Sequence, residues 1–202
     1  MPNFDSLARI YHPLERITFA GKLEAARTFC IPLVSECQNA LLIGDGDGRF
    51  STELLNANRS VKILSIDISS RMLQVAKERA GNHANRLAIK NADALKFDYP
   101  VGAFDFIGLH FCLDCFEQSE VDDLLPKLAK SLKPNGLLAH TDFRSDTVWQ
   151  KAIVRLLYFS FWLGAGLRAN KLPIVKWTGE FSLESRRRSL GGLITSDLWR
   201  KA

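Results

Sequence analysis

From Asn39 onward the chain alternates short, nearly unbroken apolar runs with stretches whose apolar residues recur every three or four positions. ALLIG at 40–44 reads as a strand, and RFSTELLNANR behind it as an amphipathic helix. VKILSID at 61–67 is a second strand, followed by the helical stretch SSRMLQVAKERAG, in which Ser69 suits an N-cap and Gly81 a C-cap. RLAIKNAD at 86–93 and FDFIGLHF at 104–111 supply a third and a fourth strand. SEVDDLLPKLAKSLKPNG predicts a helix stopped by Pro134 and Gly136, and LLAHTDF at 137–143 a fifth strand.

Strands separated by helices imply βαβ crossovers and a parallel sheet covered on both faces, a doubly wound α/β architecture. The unbroken apolar character of strands one, two and four agrees with burial on both faces. The C-terminal pattern is different. EFSLESRRRSL, then Gly191-Gly192, then LITSDLW reads as two antiparallel strands joined by a two-residue Gly-Gly turn. Arg186, Arg187 and Arg188 would then protect an exposed sheet edge. No repeat or linker divides the 202 residues, so one domain is expected, with 1–38 as a helical cap over the carboxyl edge and 144–178 as a helical lid or insertion on the acceptor side.

Composition changes this picture little, but charge adds something. The apolar content of 47% beside 24% charged residues excludes a disordered chain. The first residues lack the pattern of a secretory signal, so a cytoplasmic protein with reduced thiols is expected. Cys112-x-x-Cys115 has the spacing of half a zinc site, but Cys30 and Cys37 do not complete it; no metal is expected. Residues 1–143 hold 16 Lys and Arg against 18 Asp and Glu, a net −2, whereas 144–202 hold 11 against 4, a net +7. That basic part is either a solvated face or a surface for an acidic partner.

The chemistry concentrates at Gly44-Asp45-Gly46-Asp47-Gly48, between a strand and a helix. Glycines there permit a tight turn and close approach of a ligand to the backbone. Arg49 replaces the third glycine of the dinucleotide fingerprint, and the Lys-Ser/Thr of a nucleotide-phosphate loop is missing. Asp67 closes the second strand, 19 residues after Gly48. A carboxylate there is placed to accept ribose hydroxyls, unless it only caps the following helix. Together the two signals favour an adenosine-containing cofactor.

In order, LLIGDGDGRF, ILSID, NADALKF, FDFIGLHF and LKPNGLLAHTDF resemble the five motifs of class I S-adenosylmethionine-dependent methyltransferases, over roughly residues 38–143. The resemblance implies a seven-stranded sheet of order 3-2-1-4-5-7-6, S-adenosyl-L-methionine as methyl donor and S-adenosyl-L-homocysteine as product. It implies that Gly44, Gly46 and Gly48 cradle the donor's aminocarboxypropyl arm and ribose. Asp67 would bind the ribose hydroxyls, Ile68 and Met72 pack on adenine, Asp93 accept its amino group, and the Ala94 amide face a ring nitrogen. His110 would sit beside the transferring methyl. Leu42 stands where the family often has an acidic residue, so the ammonium would fall to backbone carbonyls or to Asp45.

A hydroxyl acceptor also needs a base, for which His110, Asp114, His140 and Asp142 are candidates at the ends of strands four and five, with His110 and Asp114 preferred. The stretch Leu156–Leu167, with Tyr158, Phe159, Phe161 and Trp162, is too short to span a bilayer. It reads either as an ordinary covering helix or as the wall of a pocket for a small apolar, aromatic or lipid-like acceptor, with Arg155, Arg168 and Lys171 touching a membrane surface. The rival readings are a nucleotide-dependent oxidoreductase, an RNA methyltransferase using the basic C-terminal part, and a cofactor-binding module without turnover.

Overall fold

The computed structural model describes residues 21–165, 169, 171–177 and 179–202. The first 20 residues of the expected cap, and Leu167 and Arg168 of the expected lid, lie outside the described residues. Seven strands form one sheet: β1 (Asn39–Ile43), β2 (Lys62–Asp67), β3 (Leu87–Asn91), β4 (Phe104–His110), β5 (Leu132–Phe143), β6 (Phe181–Ser189) and β7 (Ile194–Lys201). Their order is 3-2-1-4-5-7-6. The β1–β2, β2–β3, β1–β4 and β4–β5 pairs are parallel, and β7 runs antiparallel to both β5 and β6. The helices are α1 (Lys22–Arg27), α2 (Arg49–Ala57), α3 (Ser70–Ala80), α4 (Gln118–Ser131) and α5 (Val148–Ala165).

Side-chain alternation along each strand divides the core in two. Ala40, Leu42, Ile63 and Phe106 face Phe50 and Leu54 of α2. Leu41, Ile43, Ile66, Ile107 and Leu109 face the other way, toward Val121, Leu124 and Leu128 of α4. This is the doubly wound arrangement. It leaves a crevice where the crossovers from β1 and β4 leave in opposite directions, the usual ligand position in such sheets. The described end of the cap lies over that edge: Leu23 and Ala26 of α1 pack with Ile194, Phe111 and Phe143.

Local chemistry explains the element ends. The Ser69 hydroxyl accepts from the Met72 amide at 3.1 Å, capping α3, and Gly81 ends it. Two expectations need correction. The hairpin turn is not two residues long, because the last β6–β7 pair is Ser189 with Ile194, leaving four residues between them. Leu193 is buried and its carbonyl accepts the Arg144 amide at 2.7 Å, so the core draws the turn open. Strand β5 also starts earlier than expected, at Leu132; the Pro134–Gly136 turn is an irregularity within it, with Asn135 at φ 60. Arg186 does lie on the edge strand, but it is engaged, holding Asp197 through two hydrogen bonds of 2.6 and 2.8 Å.

Candidate active site

The crevice at the carboxyl ends of β1, β2 and β4 holds a cavity lined by residues that lie far apart in sequence. Gly44, Gly46, Asp67, Ile68, Met72, Asp93, Ala94 and Asp114 of the expected set all reach it. A second cavity, over β5, β6 and β7, is larger at about 460 Å³ against 220 Å³, yet it touches neither the glycine loop nor Asp67. Size alone therefore does not locate the site.

The loop conformation follows from its glycines. Gly44, at φ 63, has no room for a side chain, since an added Cβ would lie 2.8 Å from the Cys112 Cβ. This close approach brings the segment after β4 against the end of β1. Gly46, at φ 60, faces open space, so its backbone is free to meet a ligand. Its amide donates to Asp67 Oδ2 at 3.3 Å, while the Ser69 amide donates to Oδ1 at 2.8 Å. The carboxylate is thus held across the crevice mouth. The capping alternative for Asp67 is not what the geometry shows, because Ser69 caps α3. Asn91 Nδ2 donates to the Asp67 and Ile68 carbonyls at 3.1 and 2.8 Å, and Ile68 keeps 39% of its surface exposed beside the cavity. Asp93 accepts from the Leu95 amide at 3.0 Å.

Three expected residues are placed elsewhere. Gly48 serves helix packing: an added Cβ would meet Ala76 Cβ at 2.5 Å and its Cα at 2.6 Å. Asp45 turns under the loop and accepts the Ser51 amide at 3.2 Å, and burial pushes its carboxyl up to about 6. His110 shares the face of Phe106 and Gly108, so its ring enters the core, 4.2 Å from the Phe50 ring, with Nδ1 3.1 Å from the Thr141 hydroxyl. Burial first, then the charge of Arg27, holds this imidazole well below its usual pKa, in the neutral form. The cavity walls do not include it.

Asp114 is the candidate base that does reach the cavity. It sits on a single 3-10 turn, Leu113–Cys115. Its amide donates to Asp142 Oδ2 at 3.3 Å, its carbonyl accepts the Tyr158 hydroxyl at 2.8 Å, and the Cys115 thiol lies 3.5 Å from its Oδ1. Burial, reinforced by the adjacent Asp142 carboxylate, pushes the Asp114 carboxyl well above the ordinary carboxylate range. Asp142 and His140 are next to each other, 3.7 Å apart, but on the side of the second cavity.

Sequence reasoning missed the aromatic wall. Phe111, Phe116 and Phe143 line the cavity beside Cys112 and Cys115. Phe111 has φ 53, a left-handed conformation uncommon outside glycine, maintained by the hydrogen bond its amide donates to the Thr141 carbonyl at 2.8 Å and by ring packing on Phe143 at 5.3 Å. Among the described residues the lining includes Asp67, Asp93 and Asp114 and no Lys, Arg or His. A carboxylate-lined cavity of this kind suits a positively charged ligand and disfavours a phosphorylated one. Among the described residues no cluster of His, Cys, Asp and Glu is placed to hold a metal ion, and the four cysteines are free thiols.

Residues 40–136 match the methyltransferase domain family. A demethylmenaquinone methyltransferase of Deinococcus radiodurans is 27% identical over 158 residues, covering 77% of this chain and 65% of that protein, less than two thirds of its length. Among solved structures, the PH0226 protein of Pyrococcus horikoshii superposes with a TM-score of 0.69 at 18% identity, over 91% of both chains. The N-methyltransferase NodS of Bradyrhizobium japonicum, crystallised with S-adenosyl-L-homocysteine, superposes with a TM-score of 0.63 at 16% identity, over 89% of this chain and 87% of that one. At these identities the two structures speak for the fold.

Proposed function

We propose that this chain, which belongs to the class I S-adenosylmethionine-dependent methyltransferases, transfers a methyl group to a small, apolar, ring-bearing acceptor of the kind named for its demethylmenaquinone relatives. The observation that carries this reading is the cavity itself: carboxylates on the cofactor side, with no cation among the described lining residues, and Phe111, Phe116 and Phe143 on the other. S-adenosyl-L-methionine, when bound, supplies a sulfonium methyl open to in-line displacement. The chain's residues fit it: the open backbone at Gly46, the Asp67 carboxylate for ribose hydroxyls, exposed Ile68 with Met72 for the flat adenine, and Asp93 with the Ala94 amide for its edge.

On the acceptor side the three phenylalanines exclude water, which strengthens the field of the nearby carboxylates. Asp114 is the residue placed to take the acceptor's proton. Burial beside Asp142 raises its proton affinity above that of an ordinary carboxylate, which makes it the stronger base. His110 keeps the floor of the site in shape through Phe50 and Thr141, and its buried Nε2 has no hydrogen-bond partner among the described residues.

The test is methyl transfer from isotopically labelled S-adenosyl-L-methionine to demethylmenaquinol and to simple naphthols, with structured RNA as the opposing arm. Label in the organic phase, lost in Asp114→Asn with the cofactor still bound, is the expected result. Label in RNA alone would replace this reading with the nucleic-acid one.

A further inference from the structure

The second cavity, over β5, β6 and β7, has no part in the chemistry proposed above. Strand register builds one wall of it: His140 and Asp142 of β5 stand beside their partners Asp197 and Thr195 of β7, with Trp199 two positions further along. Residues 172–177 supply another wall. That segment is pinned to the start of α4, because the Ile174 amide donates to Gln118 Oε1 at 2.7 Å and Gln118 Nε2 donates back to the Ile174 carbonyl at 3.1 Å. At about 460 Å³ the space falls in the range of small-molecule sites.

Its polar groups are unevenly paired. Arg186 holds Asp197 through two hydrogen bonds, Arg144 reaches Asp146 at 3.3 Å, and Asp142 accepts the Asp114 and Phe143 amides. The described lining sets three Asp against Arg144, Lys176 and Arg186, so its formal charge balances with His140 neutral. The ring nitrogens are another matter. Trp177 Nε1, Trp199 Nε1 and His140 Nε2 are buried with no hydrogen-bond partner among the described residues. His140 Nε2 lies 3.7 Å from Asp142 Oδ2, too far for a hydrogen bond. Six side-chain atoms are orphaned in this way among the described residues, and three of them belong to this one cavity. An indole N–H can only donate, and a buried donor without an acceptor costs free energy. What the cavity lacks is therefore an acceptor. An anion would meet the buried Asp142 carboxylate, whereas an uncharged oxygen would not. Trp177, Trp199 and Phe143 give the lining three aromatic rings, which suit a flat partner.

We propose that this cavity is a second ligand site, for an uncharged planar ring bearing a carbonyl oxygen that accepts from the indole N–H groups of Trp177 and Trp199. The site is separate from the donor crevice, since it contains neither the glycine loop nor Asp67, and it does not depend on the reaction assigned to that crevice.

The experiment is a proton–nitrogen correlation spectrum of the full chain carrying isotopic nitrogen in its tryptophans, titrated with coumarin and with naphthalene, a ring system of similar size without oxygen. Coumarin should move the indole N–H signals of Trp177 and Trp199 downfield, as a new carbonyl acceptor does, and naphthalene should not. Trp177→Phe and Trp199→Phe assign the two signals and keep a ring in place, with thermal unfolding as the check that each variant is folded. By calorimetry each should weaken coumarin binding about five- to tenfold and leave naphthalene binding within about twofold. The comparison of the two rings in the wild type stands even where a variant does not fold. Indole signals that stay still, or that move alike with both rings, would overturn the assignment. So would equal coumarin affinity in wild type and folded variants, or displacement of coumarin by S-adenosyl-L-homocysteine; none of these outcomes bears on methyl transfer.

Discussion

The cavity has two carboxylate settings that use the same side chain differently. On the cofactor side Asp67 accepts backbone amides from Gly46 and Ser69, and Asp93 accepts one from Leu95. Both are acceptors anchored by the backbone. On the acceptor side Asp114 is buried on a turn, and burial together with the Asp142 carboxylate on the strand end behind it opposes its ionisation. One arrangement suits holding a ligand; for the other we propose proton exchange. The difference lies in what surrounds each carboxylate, not in the residue type.

The largest effects should come from breaking the scaffold of the holding side. Gly48→Val adds a side chain where a Cβ already meets Ala76 at 2.5 Å, at φ 78. It should destabilise the fold by about 3 kcal/mol or more in urea unfolding. Gly46→Ala, with nothing within 4 Å of its Cβ, should lower stability by only about 1 kcal/mol. Its larger effect should be on cofactor affinity. Equal losses of stability in the two variants would remove the distinction between a packing glycine and a ligand-facing one.

The proton-exchanging side is sharpened by pH. As pH rises Asp114 ionises, and its negative charge favours the sulfonium donor over the uncharged thioether of the product. The preference for S-adenosyl-L-methionine over S-adenosyl-L-homocysteine should therefore grow with pH, by roughly five- to tenfold, and Asp114→Asn should flatten the dependence. A wild-type ratio that does not change with pH would count against Asp114 as the titrating wall residue.

Asp45 gives a smaller effect of defined sign. Its carboxyl is raised from 3.8 to about 6, so the stability it contributes is complete below 3.8 and is lost as pH rises through about 6. Asp45→Asn should remove that slope, worth about 3 kcal/mol, from thermal or urea unfolding measured across the range. The smallest effect is expected at His110: His110→Gln should change S-adenosyl-L-homocysteine binding less than about threefold, since the ring lies in the core. A hundredfold loss would return it to the site.

The holding side was legible in the sequence because each part is a short window directly after a parallel strand: Gly44 to Gly46, Asp67 with Ile68, Asp93 with Ala94. Strand ends in such a sheet converge, so chain order predicts spatial neighbours. The acceptor side has no such window. Phe111, Phe116 and Phe143 meet only because β4 and β5 pair in register and Phe111 adopts a left-handed backbone. His110 was read toward the site because it ends β4, yet strand parity puts it with Phe106 on the α2 face, and which face opens to the crevice is set by the crossovers. Gly48 was grouped with the ligand loop, although its requirement comes from Ala76 on another helix.

Binding of the sulfonium donor in this cavity should depend on Asp67. It is tested most directly by calorimetric titration of the full chain with S-adenosyl-L-methionine, S-adenosyl-L-homocysteine and NAD, in parallel with Asp67→Ala. Micromolar binding of the first two, none of NAD, and a loss of about a hundredfold or more in the variant is the result the account predicts. Heat with NAD alone, or equal affinity in the variant, would contradict it.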